Sequence, residues 1–371
     1  MTNQLNLEFF SKVDLTHKLL EPFNLAEIDS EVLFDEKMLK KNYRNKVTYS
    51  FNSSETDLSF GNTFQLISLK HISIIQNLAK NENIKLIKDI FIKSNYKSQI
   101  QLCFTIYNKK YGLIYLEDFL SEIIDKLVGD IVSVYYREYN DETKSLFNTK
   151  EIKQIQFREF GKLEENILGV NLYLQPYSFS RINNQVSPQI YQKVLELEIS
   201  SGNYNHIILY GRDIYYLYKK KMIENAKFYR KKEKENEKEI EILAITHCKI
   251  TYQDIISDVD LVSDYQLDFN NIICCNKKDY VKNLALVTKN GIMNQSLVIL
   301  TAGRNGLSRD LLDYFIKTRE IMYIIYIACN RDTMCRDLTF LKVKFKLVKS
   351  IICDEFPMTE YNNTILLLET F

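Results

Sequence analysis

The sequence predicts an α/β protein: an α+β region comes first, then a Rossmann-like domain whose parallel sheet closes with an antiparallel final strand. Three observations predict it. The C-terminal stretch alternates strand and helix patterns, which implies parallel strands joined by right-handed crossovers. Residues 322–328, MYIIYIA, are apolar throughout, the mark of a strand buried on both faces. The last two strand patterns are separated only by a loop, so they can pair antiparallel.

Along the chain, residues 1–40 read as mixed helix and loop. VTYSF, the polar NSSETD and LSFG (47–61) read as a hairpin. LISLKHISIIQNLAKN (66–81) has helical spacing, and IQLCFTIYN (100–108) is a strand. LEDFLSEIIDKLVGDIVSVYY (116–136) begins as a helix and ends as a strand. IKQIQFREF (152–160) and ILGVNLYLQ (167–175) add two short strands. The pattern places an N-terminal α+β region over residues 1–180 and the Rossmann-like domain over 181–371.

In the second region VSPQIYQKVLELEIS (186–200) is a helix and HIILYG (206–211) a strand ending in glycine. Residues 213–239 form a long charged helix and IEILAIT (240–246) a strand. LVIL (297–300) is a strand, and the helix LSRDLLDYFIKTR follows with apolar Leu307, Leu311, Leu312 and Phe315. After MYIIYIA come the helix MCRDLTFLKV and the strands FKLVKSIICDEF and NTILLLETF.

Composition bounds the function. The chain has 371 residues, 46% of them apolar and 26% charged, an ordinary globular balance. Its formal net charge of +1 lacks the basic excess of a non-specific nucleic-acid binder, so any RNA contact is a local patch. Seven cysteines without regular spacing argue against a disulfide framework, and the absence of CxxC pairs with only four histidines against a zinc site. MTNQLNLEFF does not read as a signal peptide, and no apolar run approaches a membrane span. The expectation is a cytoplasmic protein in a reducing compartment, without membrane contact. Abundant Lys, Asn, Ile and Tyr with no Trp point to an AT-rich genome such as that of a virus, an endosymbiont or a parasite.

The string with the most chemistry is Tyr326-Ile-Ala-Cys-Asn-Arg-Asp-Thr-Met-Cys-Arg-Asp-Leu338. Cys329 follows a buried strand and precedes a helix. A thiol there sits at the carboxyl edge of the sheet, where open α/β sheets bind ligands, and a helix N-terminus favours a thiolate. The string resembles the signature YxSCNPxTxxRDL of the S-adenosylmethionine-dependent RNA (uracil-C5)-methyltransferases, with Arg331 in place of the proline. The resemblance implies a class I methyltransferase domain with Cys329 as nucleophile. In that chemistry a thiolate adds to uracil C6 and makes C5 able to attack the methyl sulfonium.

Other segments follow in the family's order over roughly residues 34–371. Cys353-Asp-Glu-Phe-Pro-Met-Thr-Glu-Tyr-Asn-Asn363 is similar to DxFPxTxHxE, keeping Phe356, Pro357 and Thr359. Tyr361 stands at the histidine position and Asn363 at that of the proton-accepting glutamate. An amide cannot take that proton; Glu360 is a neighbouring carboxylate. Thr301-Ala-Gly-Arg304-Asn-Gly306-Leu307 is similar to DPPRxGL, with Thr301 replacing the aspartate that helps to hold the uracil edge. Ser178-Phe179-Ser-Arg181-Ile-Asn183 is similar to SFxQxN, a segment that contacts cofactor and base. The ELYCGxGxF cofactor loop corresponds to Ile207–Tyr215, where one glycine, Gly211, remains after Tyr210, and Arg212 and Asp213 fill positions where a Cβ would crowd the ligand. No acidic residue ends the second strand at Ala-Ile-Thr-His247. Tyr43, Arg44 and Asn45 resemble a segment that approaches RNA, as does Phe179.

The resemblance therefore implies two readings. In the first, the chain is methyltransferase-like with activity lost or much reduced, and serves as an RNA- or protein-binding module or a component of a larger assembly. In the second, it is an active, divergent enzyme that uses S-adenosylmethionine to methylate tRNA or rRNA through Cys329. Arg304, Thr301 and Asn363 complete the candidate catalytic positions, and Arg181, Tyr210 and Gly211 the candidate cofactor positions.

Overall fold

The computed structural model describes residues 2–23, 29–33, 44–50, 86–107, 131–139, 153–154, 163–174, 176, 179–201, 204–211, 213, 216–221, 241–246, 272–274, 281–282, 295–357 and 359–371. The chain divides into two compact units, Lys40–Asn184 and Met1–Leu39 together with Gln185–Phe371. Residues 1–39, expected with the N-terminal region, instead group with the C-terminal unit.

The main helices are α1 (Thr2–Leu20), α2 (Ser187–Ser200), α3 (Arg309–Lys317) and α4 (Arg331–Leu341). The strands of the larger unit are β1 (Asp29–Leu33), β9 (His206–Tyr210), β10 (Glu241–Thr246), β11 (Ile272–Cys274), β12 (Ser296–Thr301), β13 (Ile321–Ala328), β14 (Phe345–Cys353) and β15 (Asn363–Thr370). Those of Lys40–Asn184 are β2 (Lys46–Ser50), β3 (Ile87–Ser94), β4 (Ile100–Ile106), β5 (Ile131–Glu138), β6 (Lys153–Gln154), β7 (Leu163–Ile167) and β8 (Val170–Leu174). The hairpin loop and helix expected between 51 and 85, and the helix expected from 116, lie outside the described residues. So does the long charged helix beyond its turn at 216–221.

The larger unit carries one eight-stranded sheet in the order β11-β10-β9-β12-β13-β15-β14-β1. All neighbours are parallel except at β15, which runs antiparallel to both β13 and β14. This is the predicted ending. It was legible because a short loop between β14 and β15 permits only an antiparallel return. The edge strand β1 was not foreseen. It pairs in parallel with β14, Asp29 with Lys349 through Leu33 with Cys353, and this pairing joins the N-terminal segment to the C-terminal unit.

The core lies between the sheet and its helices. Leu311, Leu312 and Phe315 of α3 and Met334, Leu338 and Leu341 of α4 are buried against Val298, Leu300, Ile324, Tyr326, Leu366 and Leu368. The run Ile324–Ala328 is buried without a break, as an interior strand covered on both faces requires.

The unit Lys40–Asn184 holds a five-stranded mixed sheet, β2-β3-β4-β5-β6, and the β7–β8 hairpin. A buried polar cluster crosses its strands. Arg137 Nε donates to Thr105 Oγ1 at 2.8 Å, and the Thr105 hydroxyl donates to Asp89.

Candidate active site

The carboxyl edge of the eight-stranded sheet gathers the C-terminal motif residues. Cys329 directly follows β13. Asn363 heads β15, one residue before Thr364, the register partner of Ala328. Cys329 and Asn363 therefore each stand one residue beyond the last pair of this ladder, Ala328 with Thr364. On the other side β12 ends at Thr301, paired with Ile327, and Ala302 N–H donates to Ile327 O at 3.0 Å. Tyr210 pairs with Leu300, which sets Gly211 beside Thr301.

Cys329 is partly exposed. Its Sγ makes a long contact of 4.0 Å to Ala302 O. The next residue caps α4: Asn330 is extended, and its side-chain oxygen accepts the N–H groups of Asp332 and Thr333 at 3.0 and 3.4 Å. Asn is a preferred N-cap for this reason. Its Nδ2 donates to Arg304 O at 3.1 Å, so one side chain fixes both the helix start and the 302–307 loop.

Behind the thiol, Asp337 is fully buried. It accepts from the Tyr326 hydroxyl at 2.7 Å, from Leu307 N–H at 2.8 Å and from Arg336. This network explains why the strings YIAC, RNGL and RDL occur together. The Arg304 guanidinium lies 5.7 Å from the Tyr361 ring centroid. Thr301 Oγ1 is buried without a hydrogen-bond partner among the described residues.

The Cys353–Asn363 segment is pinned by α1. Lys12 Nζ donates to both Asp354 oxygens at 3.1 and 3.3 Å and to Phe356 O at 3.1 Å. Asn362 Nδ2 donates to Thr16 Oγ1 at 3.1 Å. Asn363 is 2% exposed and donates to the carboxylate of Glu355, which is also 2% exposed. Glu360, the carboxylate considered from the sequence, is exposed, and its carbonyl accepts from Arg331 at 2.9 Å.

Arg44, Phe179 and Arg181 belong to the other unit. Arg44 forms an isolated bridge with Asn183. Asn45 donates to Arg181 O at 3.0 Å. Lys46 Nζ lies 5.1 Å from the Phe179 ring centroid and donates to Ser180 O. Lys46 was not singled out from sequence; its place beside the YRN string was the available signal. Tyr43 and Ser178 lie outside the described residues.

The strand order, with β15 antiparallel between β13 and β14, is that of the class I methyltransferase fold. Within that class the chain resembles the RNA (uracil-C5)-methyltransferases: residues 281–371 match the family model described as tRNA (uracil-5-)-methyltransferase. A 23S rRNA (uracil(747)-C(5))-methyltransferase of Photorhabdus laumondii is 25% identical over 220 residues, 58% of this chain and 50% of the relative. An uncharacterized RNA methyltransferase of Leptospira interrogans is 32% identical over 101 residues, 27% of this chain and 24% of the relative. The matched stretches thus span a quarter to a half of those relatives. In fold, the chain resembles the Pyrococcus abyssi tRNA (uracil-54, C5)-methyltransferase in complex with S-adenosyl-L-homocysteine. The TM-score is 0.62 at 14% identity, covering 97% of this chain and 83% of that one.

Proposed function

We propose that this chain is an RNA (uracil-C5)-methyltransferase-like protein that receives a uracil base at Cys329 and whose methyl transfer is lost or much reduced. It then serves as an RNA-binding module, alone or with a protein partner. The observation that carries the reading is a contrast along one sheet edge. The Cys329 side keeps a complete supporting network through Asn330, Asp337 and Leu307. Among the described residues, the adjoining strand ends offer little to hold S-adenosylmethionine. Gly211 has φ +122°, and a Cβ there would fall 2.7 Å from Thr301 O, so this glycine serves the approach of two strands. Asp213 is buried and accepts from the Tyr191 hydroxyl. The last residues of β10, Ala244, Ile245 and Thr246, offer no carboxylate for a ribose.

Lys46 beside the Phe179 ring, with Arg44 nearby in sequence, supports RNA contact, since a cation next to an aromatic ring suits phosphate and base together. tRNA and rRNA are the candidate ligands, by analogy with the relatives' names.

Calorimetric titration with S-adenosylmethionine tests the methyl-donor half. Silence up to millimolar is expected; saturable binding would restore the active-enzyme reading. The uracil half is tested with RNA carrying 5-fluorouracil. A gel-shifted covalent adduct is expected from the wild type and none from Cys329→Ala. A wild type without adduct would remove Cys329 from the reading.

A further inference from the structure

Resting on that uracil-handling reading, we propose that Glu355 is the base of this site, replacing in space the carboxylate that position 363 does not carry. Asn363 directly precedes Thr364, whose pairing with Ala328 is the last of the β13–β15 ladder, and on its other side it pairs with Cys353 of β14. Its amide nitrogen donates to Glu355 Oε2. A carboxylate thus lies one hydrogen bond from Asn363, whose strand neighbour Thr364 faces the residue before Cys329.

The contact is built into the fold. The loop that carries Glu355 is held at one end by Lys12 on Asp354 and Phe356 O, and at the other by Thr16 on Asn362. Phe9 and Val13 of the same helix cluster with Ile352. With Asp354 turned to α1, the next side chain, Glu355, is directed inward.

The chemistry requires no methyl donor. The Cys329 thiolate adds to uracil C6, and C5 takes a proton from water. When the Asn363 contact opens, the Glu355 carboxylate removes a C5 proton. The C–H electron pair forms the C5=C6 bond, the C6–S bond breaks, its pair returns to sulfur, and Glu355 gives its proton to the hydroxide left by the water. The net result is exchange of the C5 hydrogen with solvent. Positioned general bases contribute about 10²–10⁴-fold to such transfers.

The test measures tritium release from unmodified tRNA and rRNA transcripts labelled with [5-³H]uridine, using the full chain without cofactor. Release is expected from the wild type. It should fall about 100-fold or more in Glu355→Gln while that variant still forms the 5-fluorouracil adduct. The double variant Glu355→Gln, Asn363→Glu exchanges amide and carboxylate across the same hydrogen bond and should recover release. The proposal is overturned if the wild type forms the adduct but releases no tritium. It is equally overturned if Glu355→Gln releases at the wild-type rate, or if the folded double variant forms the adduct without recovering. A wild type with no adduct fails the underlying Cys329 reading instead, which separates the two failures.

Discussion

Asp337 accepts the Tyr326 hydroxyl at 2.7 Å, tying the strand that ends before Cys329 to the helix that starts after it. The same carboxylate accepts Leu307 N–H at 2.8 Å, so it also fixes the loop after β12. Burial, then the neighbouring carboxylate, push the Tyr326 phenol well above its ordinary value, so the hydroxyl stays a donor. Asp337→Ala leaves two buried donors unsatisfied and should cost about 3 kcal/mol. Tyr326→Phe removes one donor and should cost about 1 kcal/mol. Urea midpoints measure both; equal losses would show that Asp337 does not join the two elements.

Gly306 has φ +66°, and a Cβ there would lie 2.7 Å from Asp337 Oδ2 and 2.9 Å from Thr333 Cβ. Both neighbours belong to the network behind the thiol, so neither can yield cheaply. Gly306→Ala should therefore cost about 2 kcal/mol and slow the fluorouracil adduct. Gly303, three residues earlier, has nothing within 4 Å of its virtual Cβ. Gly303→Ala should stay within about 0.5 kcal/mol of wild type. Thermal melts of the pair decide it, and parallel losses would disprove the packing argument.

The C-terminal half was legible because its strands are long, apolar and separated by helices with clear faces. Ile321–Ala328 and Asn363–Thr370 announced themselves by burial pattern alone. The N-terminal segment was assigned to the wrong unit for a physical reason. Asp29–Leu33 is five residues long, and its strand state depends on pairing with Lys349–Cys353, a partner far along the chain that no local pattern reveals. Cys329, Arg304 and Thr301 stand out in the sequence because their neighbours form dense strings. The contact of Glu355 with Asn363 is set by the fold and has no signal in its string.

Lys12 and Asp354 form a buried ion pair between the N-terminal helix and the last loop. Burial is the largest influence on Asp354 and raises its carboxyl above the ordinary 3.8, with Lys12 opposing. A carboxyl raised on folding contributes stability fully present below its unfolded value and lost as pH rises through its folded one. Lys12→Met leaves the carboxylate without its cation and should cost about 3 kcal/mol at pH 7. The loss should shrink at pH 4, where protonation relieves the buried charge. Adding Asp354→Asn to Lys12→Met should recover part of the stability. Denaturant titrations at pH 4 and 7 check this, and a deficit independent of pH would contradict the role given to the pair.

In the unit Lys40–Asn184, Glu165 of β7 is 6% exposed, and its Oε2 meets no hydrogen-bond donor among the described residues. Burial pushes its carboxyl up from 4.5 to about 7, with Lys93 pulling the other way. The folded value exceeds the unfolded one, so the folded state holds the proton between about pH 4.5 and pH 7. The contribution is fully present below pH 4.5 and lost as pH rises through about 7. Its size is on the order of 3 kcal/mol at most. Glu165→Gln keeps the shape without the titration, so it should remove that part of the pH dependence and stabilise this unit at pH 8. Comparing urea midpoints of wild type and variant at pH 5 and pH 8 isolates the effect from every other titrating group. Identical pH dependence in the two proteins would mean that Glu165 is already solvated as a carboxylate, and that water reaches the inside of the β7–β8 hairpin.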